Sequence, residues 1–208
     1  MSVKADVCTR EEFSLLANYL VKEGKEHVVH FMTFIAATLR RGGDVLACRF
    51  DDIKGNRWTV KEEKTGKVRT VTLNADAMAV VKARRAANPK AEFLFQSPRT
   101  GKAYTRAAMN KLLVAARRAL EAEGKLTEGR IISAHSFRKM GAKHLYTASN
   151  NNIALVQYHL NHSSSAVTLC YLGVADEQID HAMDSMHLFR TCFRGAYKRG
   201  FTERRKAA

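Results

Sequence analysis

Six side chains of the types that act on phosphodiesters are spread through this sequence. They are Arg41, Lys64, His135, Arg138, His162 and Tyr171. A phosphodiester is a poor electrophile that carries one negative charge, and a guanidinium group can hold its non-bridging oxygens through paired N–H donors. Guanidinium groups also stabilise the charge that develops as the phosphorus becomes five-coordinate. We therefore predict that Arg41 and Arg138 clamp one phosphate.

Tyr171 is the candidate nucleophile. Its phenol has an ordinary pKa of about 10, so it needs a positively charged environment to become reactive. A pair of histidines, His135 and His162, can donate hydrogen bonds or move protons near neutral pH, and Lys64 can protonate a departing 5′ oxygen. The product would be a 3′-phosphotyrosyl link and a free 5′-hydroxyl. Because the link keeps the bond energy, no metal ion, nucleotide or other cofactor is expected.

The spacings of these residues predict how the chain must present them. His135 and Arg138 are three residues apart and would share one face of a helix. His162 and Tyr171 are nine residues apart, which is about half a turn out of phase on a single helix. We therefore expect His162 to precede the helix that bears Tyr171, and the serines at 163–165 to cap that helix.

Asp44 is a supporting candidate because it follows Arg41 by three residues. Its carboxylate would steady Arg41 or the turn around it. The alternative is a plain cap on a short helix that runs through Arg49. Arg40 is the alternative to Arg41 as the residue that holds the phosphate. The three-residue spacing to Asp44 favours Arg41.

Other assignments also have ordinary structural alternatives. Taken alone, Tyr171 would be a half-buried structural tyrosine, and only the other residues of the set make it a nucleophile. Lys61 and Lys67 lie beside Lys64 on the same predicted hairpin. The histidines without a spacing typical of metal sites are expected at the surface; they are His144, His159, His181 and His187.

Hydrophobic periodicity and capping residues predict an α+β fold that is mainly helical, with one small antiparallel sheet. Thr9 and Glu12 form a capping-box pattern ahead of a helix that carries Phe13, Leu16, Leu20 and Val21 on one face and ends at Gly24. Later helices are predicted over 28–39, 44–49, 75–87, 105–123, 136–147, 153–160 and 177–186. Strands are predicted over 57–61 and 68–73, joined by the turn at 64–67.

The chain is strongly basic. Its 208 residues carry a formal net charge of +15, which favours a polyanionic partner, and a basic protein without such a partner is the alternative. The four cysteines form no CxxC pair, so a reduced, intracellular protein is expected, without a zinc cluster. No signal peptide or membrane span is predicted. We expect a cytoplasmic protein.

In order and spacing, this set resembles the tyrosine site-specific recombinases of the phage-integrase type. The resemblance extends from Thr9 to Met186. Arg41 and Asp44 are similar to the first box of the family, and Lys64 stands where the family has its β-turn lysine. The remaining matches are the HxxR box at His135 and Arg138, the Leu160-Asn161-His162 stretch, and the nucleophile position at Tyr171.

The resemblance implies an integrase-type catalytic domain over residues 1–186 that breaks and rejoins DNA strands in integration, excision, inversion or resolution. Double-stranded DNA, a homo-oligomer on DNA that is a tetramer when synapsed, and accessory DNA-bending proteins are the implied partners, in a bacterial, phage or plasmid context. Three residues depart from the family pattern: Leu39 and Asn161, where glycine is common, and Lys139, where histidine is common.

About forty residues precede Arg41, whereas many family members carry an additional N-terminal domain. A single-domain member and a catalytic fragment both fit this length. Residues 187–208 form a basic tail with Phe189, Phe193, Tyr197 and Phe201 at intervals of four, a stripe suited to a helix-in-groove contact. We expect this tail to dock on a neighbouring protomer or to fold back on its own.

Two other functions are consistent with part of this pattern. A type IB topoisomerase shares the chemistry but relaxes supercoils without a specific site. A DNA-binding accessory protein with a degenerate active site would not need the full residue set. The predicted helix over 105–123 carries basic residues on its outer side, where a DNA contact and a solvated face are equally consistent with the sequence.

Overall fold

The computed structural model describes residues 5–173. The chain divides into two compact units, residues 1–168 and residues 169–208. The predicted helix over 177–186, the predicted domain boundary at 186 and the aromatic tail lie outside the described residues. The described helices are α1 (Arg10–Lys22), α2 (Glu26–Thr38), α3 (Gly42–Leu46), α4 (Ala75–Ala87), α5 (Arg106–Ala122), α6 (Ala134–Ala148), α7 (Ile153–Leu160) and α8 (Ser165–Leu172).

Local sequence signals set most helix ends. Thr9 and Glu12 form the predicted capping box of α1, and Asn74 caps α4 through the Ala77 backbone N–H. Side-chain caps of this kind satisfy backbone donors that have no partner within the helix. Gly24 follows α1 with a φ of 65°, a left-handed conformation that costs glycine little.

One residue of the predicted α1 face was placed wrongly. Leu16 and Leu20 are buried, but Val21 is half exposed. At about 100° of rotation per residue, Val21 projects well outside the stripe that Leu16 and Leu20 occupy.

The sheet is a three-stranded antiparallel meander in the order β1 (Ile53–Lys54), β2 (Arg57–Lys61) and β3 (Val68–Thr72). Trp58 pairs with Ile53 on one side and with Val71 on the other. Side chains alternate along β2, so that Trp58 and Val60 are buried and their neighbours are exposed. The predicted hairpin is confirmed, and β1 is an additional edge strand.

Helix α2 lies at the centre of the first unit and packs against α1, α4 and α6. Its buried side chains include Phe31 and Phe34. Phe34 meets Trp58 of β2 at 5.4 Å between ring centroids, and Phe31 meets Phe95 edge-on at 5.5 Å. The Phe34–Trp58 contact joins α2 to the sheet and thereby helps to set where the ends of α2 and β2 lie.

The predicted α+β fold is confirmed for the described residues. Among the helices described here, none is both long and apolar enough to cross a membrane.

Candidate active site

A cavity of about 750 Å³ opens between α3, α5, α6 and the β2–β3 turn. Its lining brings together five of the seven predicted site residues, which are Arg41, Asp44, Lys64, His135 and Arg138. They come from three stretches of sequence that are far apart, and all belong to the first compact unit.

The bend between α2 and α3 separates the roles of the two consecutive arginines. Leu39 ends α2 in the left-handed conformation with a φ of 56°, at a position where glycine would be less strained. After this bend Arg40 is buried, at 3% exposure, and makes contacts inside the protein. Arg41 is 27% exposed and lines the cavity. Arg41 is therefore the arginine available to a ligand.

Both arginines bind the same buried carboxylate, Glu62. Arg40 Nη1 lies 3.2 Å from Glu62 Oε1, and Arg41 Nη1 lies 3.1 Å from Glu62 Oε2. Although burial raises the pKa of Glu62, hydrogen bonds from Thr65, Asn161 and Arg41 lower it overall, below its usual value. Glu62 is therefore ionised at neutral pH.

The sequence interpretation missed Glu62, although a signal was present. Trp58 and Val60 are the buried positions of β2, and the period-2 pattern continued by one step points Glu62 inward. A buried glutamate requires cationic partners, which would have indicated an arginine contact.

The short helix that bears Asp44 differs from its predicted bounds. Asp44 lies in the first turn of α3, whose N-cap is Arg41 and whose last residue is Leu46 rather than Arg49. Its Oδ1 accepts a hydrogen bond of 2.9 Å from the Glu63 backbone N–H. Asp44 therefore joins α3 to the β2–β3 turn, while Glu62 is the carboxylate that pairs with Arg41. The role of Asp44 in steadying Arg41 or the turn around it stays a prediction.

Lys64 lies in the β2–β3 turn, where its side chain is exposed and lines the cavity. The turn is held by the Gly66 backbone N–H, which donates to the Glu62 carbonyl at 2.8 Å, and by the Thr65 hydroxyl, which donates to Glu62 Oε2 at 2.9 Å. Lys61 and Lys67 are exposed residues outside the cavity lining. The geometry thus favours Lys64 among the three.

Helix α6 presents His135 and Arg138 as the three-residue spacing predicted. Ser133 caps the helix and accepts from the His135 backbone N–H. Arg138 is 3% exposed, and its Nη2 donates to the Leu160 carbonyl at 2.9 Å. This contact ties the predicted clamp residue to the end of α7.

Three arginines bind the last carbonyls of α7. Arg69 donates to Tyr158 at 2.9 Å, Arg40 donates to His159, and Arg138 donates to Leu160. Cations are favourable at this end of a helix because its carbonyls lack partners within the helix and carry partial negative charge. These contacts position the residues that follow α7.

The two residues that follow α7 are Asn161 and His162. Asn161 is left-handed, with a φ of 57°, as its tolerance of that conformation predicts, and its Nδ2 donates to Glu62 Oε2 at 3.0 Å. His162 follows in the loop before α8, with Nδ1 3.2 Å from the Thr168 hydroxyl. His162 and Tyr171 therefore lie on different elements, as predicted.

The prediction that His159 lies at the surface is wrong. Its ring is half-buried, and Nε2 lies 3.2 Å from the Thr38 carbonyl. Burial, followed by the nearby Arg40, lowers the pKa of His159. Packing of α7 against the end of α2 encloses the ring, which no local pattern indicates. His144 is exposed, as predicted, whereas His181 and His187 lie outside the described residues.

The two site histidines are neutral at pH 7. Burial of each ring, and then the positive charge of Arg138, lowers the pKa of both His135 and His162 to about 4. His135 keeps a solvent-exposed face. Neutral imidazoles retain both a donor and an acceptor nitrogen, so each ring can both donate and accept a hydrogen bond.

Tyr171 lies on α8 and is half-buried. Ser164, the second of the three predicted capping serines, accepts from the Val167 backbone N–H at the start of that helix. The role of Tyr171 as a nucleophile stays a prediction. Within residues 5–173, no group of three or more histidine, cysteine, aspartate or glutamate side chains is arranged to hold a metal ion.

Comparisons with known proteins agree with this architecture. The Phage integrase family profile matches residues 7–178. A curated relative, probable integrase/recombinase YoeC of Bacillus subtilis (strain 168), is 28% identical over 179 residues, which cover 85% of this chain and 93% of the relative.

Solved structures with the same fold include a lambda integrase dimer bound to a COC′ core site. Its TM-score is 0.68 at 20% identity, covering 83% of this chain but only 49% of the integrase chain. The XerA recombinase has a TM-score of 0.66 at 16% identity, covering 89% of this chain and 65% of its own. The lambda integrase catalytic core has a TM-score of 0.64 at 17% identity, covering 76% and 92%. This chain belongs to the phage integrase family of tyrosine recombinases.

Proposed function

We propose that this protein is a site-specific DNA recombinase that cleaves and rejoins strands through a 3′-phosphotyrosyl intermediate. The observation that carries the proposal is the cavity lined by two guanidinium groups, a lysine and a neutral histidine, which are Arg41, Arg138, Lys64 and His135. That set complements a phosphodiester because it supplies fixed positive charge, a lysine that can donate a proton, and a neutral imidazole that can accept a proton.

In the proposed reaction, Arg41 and Arg138 hold the non-bridging oxygens of the scissile phosphate. The Tyr171 phenol oxygen attacks phosphorus and gives up its proton, which a neutral histidine can accept. The bond to the 5′ oxygen breaks, and Lys64 donates the proton that makes this oxygen a hydroxyl. A 5′-hydroxyl then attacks the phosphotyrosyl link, which rejoins a strand and regenerates Tyr171.

The partners proposed are double-stranded DNA and further copies of this chain. Structures of the same fold contain a lambda integrase dimer on a core site and a lambda integrase tetramer on a Holliday junction, which supports DNA binding and oligomers as proposals for this protein. Accessory DNA-bending proteins, and docking of the 187–208 tail on a neighbour, remain parts of the same proposal.

A nicked suicide DNA substrate that carries the cognate site tests the mechanism. The wild-type protein should form an adduct with DNA that survives SDS, and Tyr171→Phe should form none because it lacks the attacking hydroxyl. Tyr158→Phe is the matched control, since Tyr158 is an exposed residue of α7, and it should form the adduct at the wild-type rate.

An adduct from Tyr171→Phe, or none from the wild type on its cognate site, would contradict the mechanism. Supercoiled plasmids with and without the site separate the two enzymatic alternatives. Relaxation that is independent of the site, as the sole activity, would identify a type IB topoisomerase-like enzyme instead.

A further inference from the structure

One carboxylate, that of Glu62, links three parts of the site. Its Oε1 accepts from buried Arg40 at 3.2 Å. Its Oε2 accepts from Arg41 at 3.1 Å, from Thr65 at 2.9 Å and from Asn161 at 3.0 Å. Glu62 is 1% exposed, so these donors take the place of water around the charge.

The three donors to Oε2 belong to different functional segments. Arg41 is the clamp residue at the start of α3, Thr65 follows Lys64 in the β2–β3 turn, and Asn161 precedes His162. The Glu62 side chain therefore fixes the relative positions of the Arg41 guanidinium, the turn that carries Lys64 and the loop that carries His162.

Charge explains why this residue must be a carboxylate. All four contacts are donors to oxygen, and an ionised glutamate has only acceptors. In a glutamine, one of the two oxygens becomes an NH₂ group. Whichever way the amide is turned, that group faces a donor, either Arg40 on one side or the Arg41, Thr65 and Asn161 group on the other.

We propose that Glu62 is a positioning residue that holds Arg41 and the His162 loop in register around the scissile phosphate. It does not touch the phosphate itself, because Arg41 and Asn161 surround it and the cavity lining does not include it. The inference rests on the proposed strand-cleavage function.

The proposal separates cleavage from binding. Removing the negative charge of Glu62 leaves the cationic surface intact and adds to the local positive charge, so DNA affinity should stay the same or increase. Cleavage should slow, because a shift of about 1 Å in a catalytic group can cost about 100-fold in rate. A purely structural loss would instead reduce the amount of protein that binds DNA.

The experiment compares wild type, Glu62→Gln and Glu92→Gln in single-turnover cleavage of the suicide substrate, with protein in saturating excess over DNA. Under that condition the rate constant describes bound complexes and does not depend on the folded fraction. Glu92 is the matched control because it also pairs with an arginine, Arg49, but at an exposed position outside the cavity lining.

We expect Glu62→Gln to bind the cognate duplex within about threefold of wild type and to cleave it about 100-fold more slowly. Glu92→Gln should match wild type in both measurements. A cleavage rate constant for Glu62→Gln within threefold of wild type would overturn the proposal. So would parallel losses of binding and cleavage by a Glu62→Gln variant that is folded.

Asn161→Gly provides a second variant if Glu62→Gln does not fold. Glycine accepts the left-handed backbone at this position, so the change removes the hydrogen bond to Glu62 without backbone strain. Cleavage should slow about fivefold, the equivalent of one hydrogen bond, and an unchanged rate would refute the proposal. Failure of the wild type to form any adduct would instead count against the proposed function.

Discussion

At the scale of single residues, the site concentrates positive charge around two histidines that are proposed to exchange protons. Arg138 is the charge that most lowers the pKa of both His135 and His162 after burial. Carboxylates compensate part of this charge, and Glu62 takes two of the guanidinium groups. The result is a pair of neutral imidazoles beside the guanidinium groups of Arg41 and Arg138, and a neutral imidazole is the form that the proposed acceptor of the tyrosine proton must have.

These lowered pKa values predict how stability depends on pH. A histidine with a pKa of about 6.5 when unfolded and about 4 when folded binds more protons in the unfolded state between those values. The free energy of unfolding should therefore fall as the pH drops from about 6.5 towards 4. Urea denaturation at several pH values measures this decline.

The double variant His135→Asn, His162→Asn removes two of the groups responsible. Its decline over the same pH range should be shallower than that of the wild type. NMR titration of the wild type without DNA should place the midpoints of both imidazoles near 4. Midpoints at or above 6.5 would contradict the pKa assignment.

At the scale of elements, the close packing of α2 against α6 sets the separation of Arg41 and Arg138, the two arginines proposed to hold one phosphate. Gly141 of α6 makes this approach possible, because a Cβ at this position would lie 2.0 Å from the Ala36 carbonyl oxygen and 2.6 Å from Leu39 Cδ2. The obstacle is mainly backbone, so a larger residue would have to push the two helices apart. Arg41 follows α2 and Arg138 lies on α6, so their separation depends on this contact.

Gly141→Ala should therefore destabilise the protein, despite the higher helix propensity of alanine. We expect a loss of about 2–3 kcal/mol from overpacking, measured by urea or thermal unfolding. Lys143→Ala is the matched control on the exposed side of the same helix, and it should change stability by less than about 0.5 kcal/mol. Equal stability of Gly141→Ala and wild type would show that the helices separate at no cost.

At the scale of the whole molecule, charge is the dominant property. The chain has 35 basic and 20 acidic residues, and residues 187–208 alone carry seven basic residues against one acidic residue. Lysine and arginine contacts to DNA phosphates release condensed counterions. A large part of the proposed DNA affinity should then be independent of sequence.

Binding to duplex DNA should accordingly weaken steeply with salt. For about 6–10 phosphate contacts, affinity should fall by at least about 10³-fold between 50 and 200 mM salt. Fluorescence anisotropy on duplexes with and without the cognate site measures the slopes, which should be nearly parallel. Affinity that does not change with salt would contradict a mode of binding dominated by phosphate contacts.

The sequence by itself determined most of the elements and seven candidate site residues. Helix caps such as Thr9 and Asn74, the alternation along β2 and the shared helix of His135 and Arg138 all depend on neighbours within a few positions. The left-handed turn at Asn161 was predictable for the same reason, because backbone preference is a property of the residue itself.

Only the tertiary structure decided how those residues are held. The burial of Arg40, the pairing of Arg41 with Glu62 rather than with Asp44, and the enclosure of His159 all depend on contacts between elements that are distant in sequence. A buried ion pair forms where packing excludes water and brings opposite charges together, and neither condition is encoded in local spacing.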